Sequence, residues 1–272
     1  MPTVARLSIA PVRSLGLEHP TEIDLTEQGV REDRRFFLTD ANNRFIDRLI
    51  VGSLVRIAAH TDPEATTLRL DFPDGTTIDG EVRLGEAVET PIYSRTGVGH
   101  QVSGPWAAAL SAYCDREIRL IRCDRVGGTR SQHPATLVTD GSLDHLGQQL
   151  GVGRVDGRRF RMLIELDDGG AHEEDTWIGG RIGLGEAILE ISAPVPRCAI
   201  ITQDPDTSER DLDTLRTLIA YRGIHNEKDV DFGVWGEVER PGRIRLGDAV
   251  RVLSMPTEEA AAGSIGAGMR PR

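Results

Sequence analysis

The chain has 272 residues, enough for one large or two ordinary domains, with a net charge of −11 and three cysteines. The acidic balance excludes a general nucleic-acid binder, because contact with phosphate needs a basic surface, although a local basic pocket remains compatible with it. The scattered cysteines form no CxxC pair, and no apolar run has the length of a signal peptide or a membrane span. We therefore expect a cytoplasmic protein with no disulfide framework, no membrane contact and no nucleic-acid partner.

Alternation of apolar and polar residues, typical of strands, is the main pattern along the chain. In chain order it occurs in VARLSI (4–9), TTLRLDF (66–72), IRLIRC (118–123), RFRMLIEL (159–166) and CAIITQ (198–203). Helices are predicted at PWAAALSAYC (105–114), at SLDHLGQQL (142–150) with Gly151 as its cap, and at SERDLDTLRTLIAYRG (208–223). In the last of these, Ser208 and Asp211 have the spacing of a capping box. The pattern predicts a mainly β protein with a few helices, of the α+β class.

A motif of apolar strand, Leu-Gly-Glu/Asp-Ala and apolar strand occurs at residues 81–92, 181–192 and 243–253. Its glycines, Gly85, Gly185 and Gly247, are predicted to turn one strand into the next. Such corners favour barrel-like sheets. We expect an N-terminal unit over 1–95, a C-terminal unit over 96–254 and a flexible tail over 255–272.

Cys198 differs from Cys114 and Cys123 in its setting. It follows Arg197 directly, and further arginines lie at predicted strand ends and turns, so a positive field there favours thiolate, the form that binds metal or attacks a substrate. A small core residue is the alternative for Cys198. Core packing is the expectation for the other two cysteines.

Several motifs in a fixed order carry a family resemblance. Arg197-Cys198 with TQDPDTSERD, then TLRTLIAYRG, DFGVW and PGRIRLGDAV, resembles the MOSC domain of molybdenum cofactor sulfurase C-termini and of the mitochondrial amidoxime-reducing component. PVRSL and EDRRFFLTD resemble the β-barrel domain that precedes MOSC in that group. The resemblance implies an N-terminal β-barrel domain, a MOSC β-barrel domain, and the molybdenum cofactor (molybdenum-molybdopterin) held with Cys198 as a metal ligand.

The same resemblance implies further cofactor contacts. The family's Pro-Val-Lys-Ser motif is Pro-Val-Arg-Ser here, and an arginine still suits phosphate. The implied cofactor-binding residues are Arg13, Ser14, Arg34, Gln132, His133, Arg161, Leu163, Arg197 and Trp235. On the residues alone, surface salt bridging is the favoured explanation of the arginines, capping of a turn is the alternative for His133, and a core position accounts equally well for Trp235.

Within that set Leu163 departs from the family pattern, and Asp175 lies outside the set. Leu163 occupies the place of a family asparagine, so the site is expected to be more apolar, altered in substrate choice or free of cofactor. If RFRMLIEL is a strand, Arg161 and Leu163 share one face. Asp175 in HEEDTW is a candidate catalytic proton relay, with pinning of a loop as the alternative.

These expectations converge on a molybdenum-cofactor-dependent oxidoreductase that reduces N-oxygenated small molecules such as amidoximes, hydroxylamines and N-oxides. Its electrons would come from a separate reductase, flavin protein or iron–sulfur protein. The alternatives are a sulfur-transfer protein with a Cys198 persulfide, and a non-catalytic carrier of the cofactor. No Ser-His-Asp order, Walker loop or HExxH motif favours a hydrolase or a nucleotide enzyme.

Overall fold

The structure is a computed structural model, and it describes residues 1–129 and 133–255. The predicted cofactor residue Gln132 lies outside the described residues. The predicted tail lies outside them as well, apart from Met255.

The described chain consists mostly of strands, joined by three α-helices and four short 3₁₀ helices. The strands are β1 (Thr3–Leu7), β2 (Glu22–Thr26), β3 (Gly29–Val30), β4 (Phe36–Thr39), β5 (Phe45–Ile46), β6 (Ala58–Thr61), β7 (Thr67–Asp71), β8 (Thr77–Glu81), β9 (Arg83–Ile92), β10 (Arg95–Ser103), β11 (Arg119–Cys123), β12 (Ala135–Thr139), β13 (Ile164–Asp167), β14 (Arg181–Leu184), β15 (Ala187–Arg197), β16 (Val230–Arg240), β17 (Gly242–Arg245) and β18 (Val250–Ser254). The helices are α1 (Trp106–Cys114), α2 (Asp140–Leu150) and α3 (Thr214–Arg222), and the 3₁₀ helices are Gly52–Arg56, Gly157–Phe160, Glu173–Trp177 and Ala199–Thr202. The prediction of a mainly β protein with a few helices is confirmed.

The strands form four sheets. A seven-stranded sheet has the order β1-β13-β12-β16-β15-β14-β18, and a five-stranded sheet has the order β5-β4-β11-β10-β9. Two three-stranded sheets have the orders β17-β2-β3 and β6-β7-β8. Within the seven-stranded sheet, β12 and β13 are parallel, and the other paired strands are antiparallel.

Strands from the two predicted units are interleaved. The first strand, β1, pairs with β13 at the edge of the seven-stranded sheet, and β17 near the C-terminus pairs with β2. The β9–β10 hairpin joins residues on both sides of the expected division at residue 95. That division, into 1–95 and 96–254, stays a prediction.

Two of the predicted helices are present nearly as expected. Helix α2 begins at the Thr139 cap, whose hydroxyl accepts a hydrogen bond from the Ser142 amide at 3.3 Å, and it ends at Gly151 with φ 70°. Helix α1 ends at Asp115, which is left-handed with φ 49°. Local capping chemistry therefore fixes both helix ends.

The third helix begins later than predicted. Residues 208–213 form a loop, and α3 starts at Thr214. The buried guanidinium of Arg159 donates to both Asp211 carboxylate oxygens, at 2.7 and 2.6 Å, and Ser208 is left-handed. The prediction of a capping box at Ser208 and Asp211 was wrong, because Asp211 forms a long-range ion pair with Arg159 instead.

Two predicted strands were also wrong in part. In RFRMLIEL, residues up to Phe160 are a 3₁₀ helix, Arg161 is left-handed with φ 52°, and the strand begins only at Ile164. The side chain of Asp156 accepts from the Arg158 amide at 2.9 Å and so turns the chain there. In CAIITQ the residues after Cys198 form a 3₁₀ helix instead of a strand.

The three repeated glycines have different roles. Gly185, with φ 53°, turns β14 into β15, and Gly247, with φ 83°, lies between β17 and β18. Gly85 instead lies inside the continuous strand β9, so the first predicted corner was wrong.

Three large clusters of buried side chains pack against the sheets. One lies on one face of the seven-stranded sheet, and another lies between the opposite face of that sheet and the helices α2 and α3. A further cluster lies between the five-stranded sheet, β6–β8 and α1. Typical members of the three clusters are Leu137, Leu218 and Phe36, all at 0% exposure. Among the described residues, no helix is long and apolar enough to cross a membrane.

Candidate functional site

Five arginines converge on one cleft of about 200 Å³. We call it the arginine cleft, after its members Arg13, Arg34, Arg48, Arg161 and Arg197. Asp33 and Asp47 are the carboxylates among its described lining residues. The cleft therefore carries an excess of positive charge on a protein of net charge −11.

Arg13 lies in the turn that follows β1. Its amide donates to the Phe36 carbonyl at 2.8 Å, and its guanidinium donates to the Thr129 carbonyl. The guanidinium carbon lies 5.1 Å from the centre of the Phe45 ring and 5.7 Å from that of Tyr93. Burial, followed by repulsion from Arg34, lowers the pKa of Arg13 to about 10. The neighbouring Ser14 has φ 77° and also lines the cleft.

Arg34 is held by a carboxylate. It pairs with Asp33, which also accepts from the Ala10 amide at 2.8 Å, and its Nη2 donates to the Arg161 carbonyl at 3.4 Å. Its charge is therefore compensated within the protein.

Arg161 is not compensated in this way. Its Nη2 is buried and has no hydrogen-bond partner among the described residues. Burial, and then repulsion by Arg48 and Arg34, hold the pKa of Arg161 well below its usual range. A buried donor without an acceptor is costly, so this side chain indicates a site shaped for an anion.

Leu163 reaches the cleft by a route different from the predicted one. Arg161 and Leu163 both line the cleft, but the left-handed turn at Arg161 brings them together rather than a shared strand face. The Leu163 amide donates to the Thr136 hydroxyl at 2.8 Å, and its side chain is buried in the core of the seven-stranded sheet. This part of the cleft is apolar.

Arg197 is the last residue of β15 and is fixed by neutral acceptors. Its guanidinium donates to the Phe232 carbonyl at 2.8 and 2.6 Å and to the Phe160 carbonyl at 3.0 Å. Its carbon lies 5.4 Å from the centre of the Phe160 ring. Burial lowers the pKa of Arg197 to about 9. These carbonyl acceptors hold the guanidinium in place, and no carboxylate of the described residues forms an ion pair with it.

Cys198 follows Arg197 at the edge of the cleft. Its thiol is exposed, whereas Cys123 is buried and Cys114 is half-buried against the core around α1. The chain neighbours of Cys198, Arg197 and Ile200, line the cleft, and a negative charge on its sulfur would raise the pKa values of Arg197, Arg48 and Tyr93. The core alternative for Cys198 does not fit its exposure.

The sequence prediction missed several cleft residues, among them Arg48, Asp47 and Tyr93. Arg48 is 1% exposed and donates through Nη2 to the Ile200 carbonyl at 3.0 Å. Asp47 accepts from the Leu49 amide at 2.9 Å and from the hydroxyl of Tyr93. Burial and that hydrogen bond raise the pKa of Tyr93. No local signal in the IDRLI segment (46–50) distinguishes Asp47 and Arg48 from surface residues.

The remaining predicted site residues are spread more widely. His133 lines the cleft, and its ring packs on Trp235 with centroids 4.5 Å apart. Trp235 is half-buried on β16 and reaches the cleft through His133. Asp175 does not line the cleft, and its carboxylate accepts from Arg222 at 2.8 Å. The structure thus brings together Arg13, Ser14, Arg34, His133, Arg161, Leu163 and Arg197, with Cys198 beside them.

Two family models match adjoining parts of the chain. The MOSC domain matches residues 124–251, and the MOSC N-terminal beta barrel domain matches residues 1–134. The chain belongs to the MOSC domain family.

Curated relatives of this MOSC protein carry two kinds of name. Mitochondrial amidoxime-reducing component 1 of Mus musculus is 31% identical over 44% of this chain and 36% of its own length. Molybdenum cofactor sulfurase of Drosophila grimshawi is 26% identical over 93% of this chain and 35% of its own length. Mitochondrial amidoxime-reducing component 1 of Homo sapiens is 23% identical over 92% of this chain and 83% of its own length. The first of these relatives is thus matched over about a third of its length.

Among solved structures, the YUAD protein from Bacillus subtilis is similar with a TM-score of 0.44 at 14% identity, over 92% of this chain and 94% of that one.

Proposed function

We propose that this MOSC protein binds the molybdenum cofactor in the arginine cleft and reduces N-oxygenated small molecules. The observation that carries the proposal is a cleft of five arginines in which Nη2 of Arg161 is buried without a hydrogen-bond partner in the described part of the chain, with the exposed Cys198 at its edge. Relatives named for amidoxime reduction and for the molybdenum cofactor support the same assignment.

The residues present fit such a group. Arg13, Arg34, Arg48 and Arg161 offer forked donors to its anionic phosphate, and a thiolate at Cys198 is a soft ligand of the kind molybdenum takes. When bound, the cofactor would supply two-electron redox and oxygen-atom-transfer chemistry.

The chain's own residues have separate tasks in that reaction. Reduction of an N–OH group consumes two electrons and two protons, and it releases water and the N–H product. Tyr93 is protonated at neutral pH, as a tyrosine ordinarily is, and its hydroxyl donates a hydrogen bond to Asp47 at the same cleft. This pair is positioned to hold and deliver a proton at the Tyr93 Oη atom.

Leu163 sets the character of the adjoining surface. Its buried side chain offers no hydrogen bond where the family has an asparagine, so the cleft favours bulkier or more apolar N-oxygenated substrates. Electrons would come from a separate reductase, flavin protein or iron–sulfur protein.

A second candidate is sulfur transfer through a persulfide at Cys198. The exposure of this thiol and the match of 93% of the chain to a molybdenum cofactor sulfurase favour it. A persulfide must be reached by a donor and an acceptor, and an exposed cysteine permits both.

Metal analysis of protein produced in a host that makes the cofactor tests the first proposal. We expect about one molybdenum per chain and reduction of a hydroxylamine or amidoxime with dithionite and a viologen dye. Cys198→Ser should lose most of the metal, because a serine hydroxyl is a harder and less acidic ligand. Cys114→Ser is the matched control and should keep it.

Full molybdenum and activity in Cys198→Ser would contradict the ligand assignment. Absence of reduction, together with a persulfide on Cys198 after treatment with a sulfur donor, would favour the second candidate.

A further inference from the structure

A second cavity, of about 290 Å³, adjoins the arginine cleft. Arg48 and Arg161 line both spaces, so these two side chains form a shared wall. The second cavity adds Arg56 and Arg158, and Asp206 is the carboxylate among its described lining residues. Positive charge therefore exceeds negative charge on this side of the wall as well.

The two arginines of the shared wall have buried N–H groups that donate no hydrogen bond within the described residues. Arg48 is 1% exposed, and its buried Nε has no hydrogen-bond partner in the described part of the chain. The same holds for Nη2 of Arg161 within residues 1–129 and 133–255. A guanidinium carries five N–H donors in a planar fork, so one arginine in a wall can donate to ligands on both of its sides.

Arg56 and Arg158 differ in whether their charge is paired with a carboxylate. Arg158 is held by Asp156 at 2.7 Å and by Asp206 at 2.7 Å, so its charge is largely balanced. Arg56 is exposed at the end of the 3₁₀ helix Gly52–Arg56, and its guanidinium has no partner among the described residues. It is the arginine of the second cavity that remains available to an incoming anion.

The rest of the lining includes His19 and the apolar residues Leu17, Val55, Pro73 and Pro205. Arginine forks around an opening with apolar sides suit an organic phosphate, since the forks match phosphate oxygens and the apolar sides match the carbon part. We propose that the second cavity binds the phosphate group of an organic phosphate. That phosphate belongs either to a separate small molecule or to the molecule held in the arginine cleft, reaching past Arg48 and Arg161.

Calorimetric titration of the full chain with inorganic phosphate tests this site, using protein from a host that cannot make the cofactor. We expect two phosphate ions per chain, one in each space. Arg56→Gln should weaken one of them about tenfold and leave the other, because one charged donor is lost from the second cavity alone. Arg13→Gln should do the reverse, since Arg13 lines only the arginine cleft.

Arg216→Gln is the control for loss of one exposed arginine. Arg216 lies on α3, is paired with Asp213 at 3.3 Å and lines neither space, so both affinities should stay unchanged. The proposal is overturned if the chain binds fewer than two phosphate ions. It is also overturned if Arg56→Gln changes neither of the two phosphate affinities.

The same titration on cofactor-loaded protein separates the two sources. A remaining phosphate site that is sensitive to Arg56→Gln indicates a separate phosphorylated molecule. Loss of both sites on loading indicates that the bound cofactor itself fills the second cavity. The cofactor-free titration needs no assumption about the reaction, so failure of the proposed function would leave it standing.

Discussion

Replacement of Arg161 by methionine should stabilise the cofactor-free protein and abolish its ability to hold the cofactor. The Nη2 atom is buried without a partner among the described residues, and Arg48, Arg34 and Arg13 all repel the charge, while Asp33 attracts it. An unsatisfied buried donor costs about 1–3 kcal/mol, and methionine removes it while retaining similar volume. The left-handed backbone at Arg161, with φ 52°, is equally strained with either side chain.

We therefore expect Arg161→Met to raise the free energy of unfolding of cofactor-free protein by about 2 kcal/mol, or its Tm by about 4 °C. Scanning calorimetry measures this, and molybdenum analysis of protein from a cofactor-producing host should show little metal. Arg34→Met is the matched control in the same cleft and should lower the Tm, because it removes the guanidinium that pairs with the buried carboxylate of Asp33. A lower Tm for Arg161→Met in cofactor-free protein would refute the reasoning, since the guanidinium would then be a structural element.

Other substitutions test separate parts of the structure. Leu163→Asn should shift the ratio of reductase activities towards small polar substrates by about 1 kcal/mol, or several-fold; an unchanged ratio and unchanged molybdenum content would show an ordinary core position. Burial raises the pKa of Glu174 from 4.5 to about 7 against opposing hydrogen bonds from Thr139 and Ser142, so the folded chain keeps a proton that the unfolded chain has lost. Stability should thus fall by on the order of 3 kcal/mol between pH 4.5 and 7, and denaturation of Glu174→Gln should show a flat profile there. Asp115→Gly should stabilise the protein by about 0.5–1 kcal/mol in urea denaturation, because Asp115 ends α1 in the left-handed conformation; a loss of stability would contradict this.

Short-range chemistry made part of the fold predictable. A glycine that ends a helix acts within one turn, so the end of α2 at Gly151 was visible in the sequence. The alternation of TTLRLDF likewise predicted β7 within a residue at each end. Gly185 and Gly247 were recognisable as corners for the same reason, whereas Gly85 shares the motif and lies inside a strand.

Motif resemblance located part of the cleft. Arg13, Arg34, Arg161 and Arg197 were named from short motifs, and the structure places all of them around one space. The motifs could not show which of these arginines are compensated. Arg34 has a carboxylate, and Arg161 has a buried donor without an acceptor in the described chain.

The sequence by itself determined the mainly β character, the ends of two helices, the setting of Cys198 beside Arg197 and the family to which the chain belongs. Only the tertiary structure decided that Arg48 and Tyr93 line the same cleft as Arg197, and that Arg159 draws Asp211 away from the start of α3. The physical reason is range: capping and alternation act over a few residues. The contacts from Arg48 to Ile200 and from Arg159 to Asp211 join residues 152 and 52 positions apart, and they leave no periodic trace in the sequence.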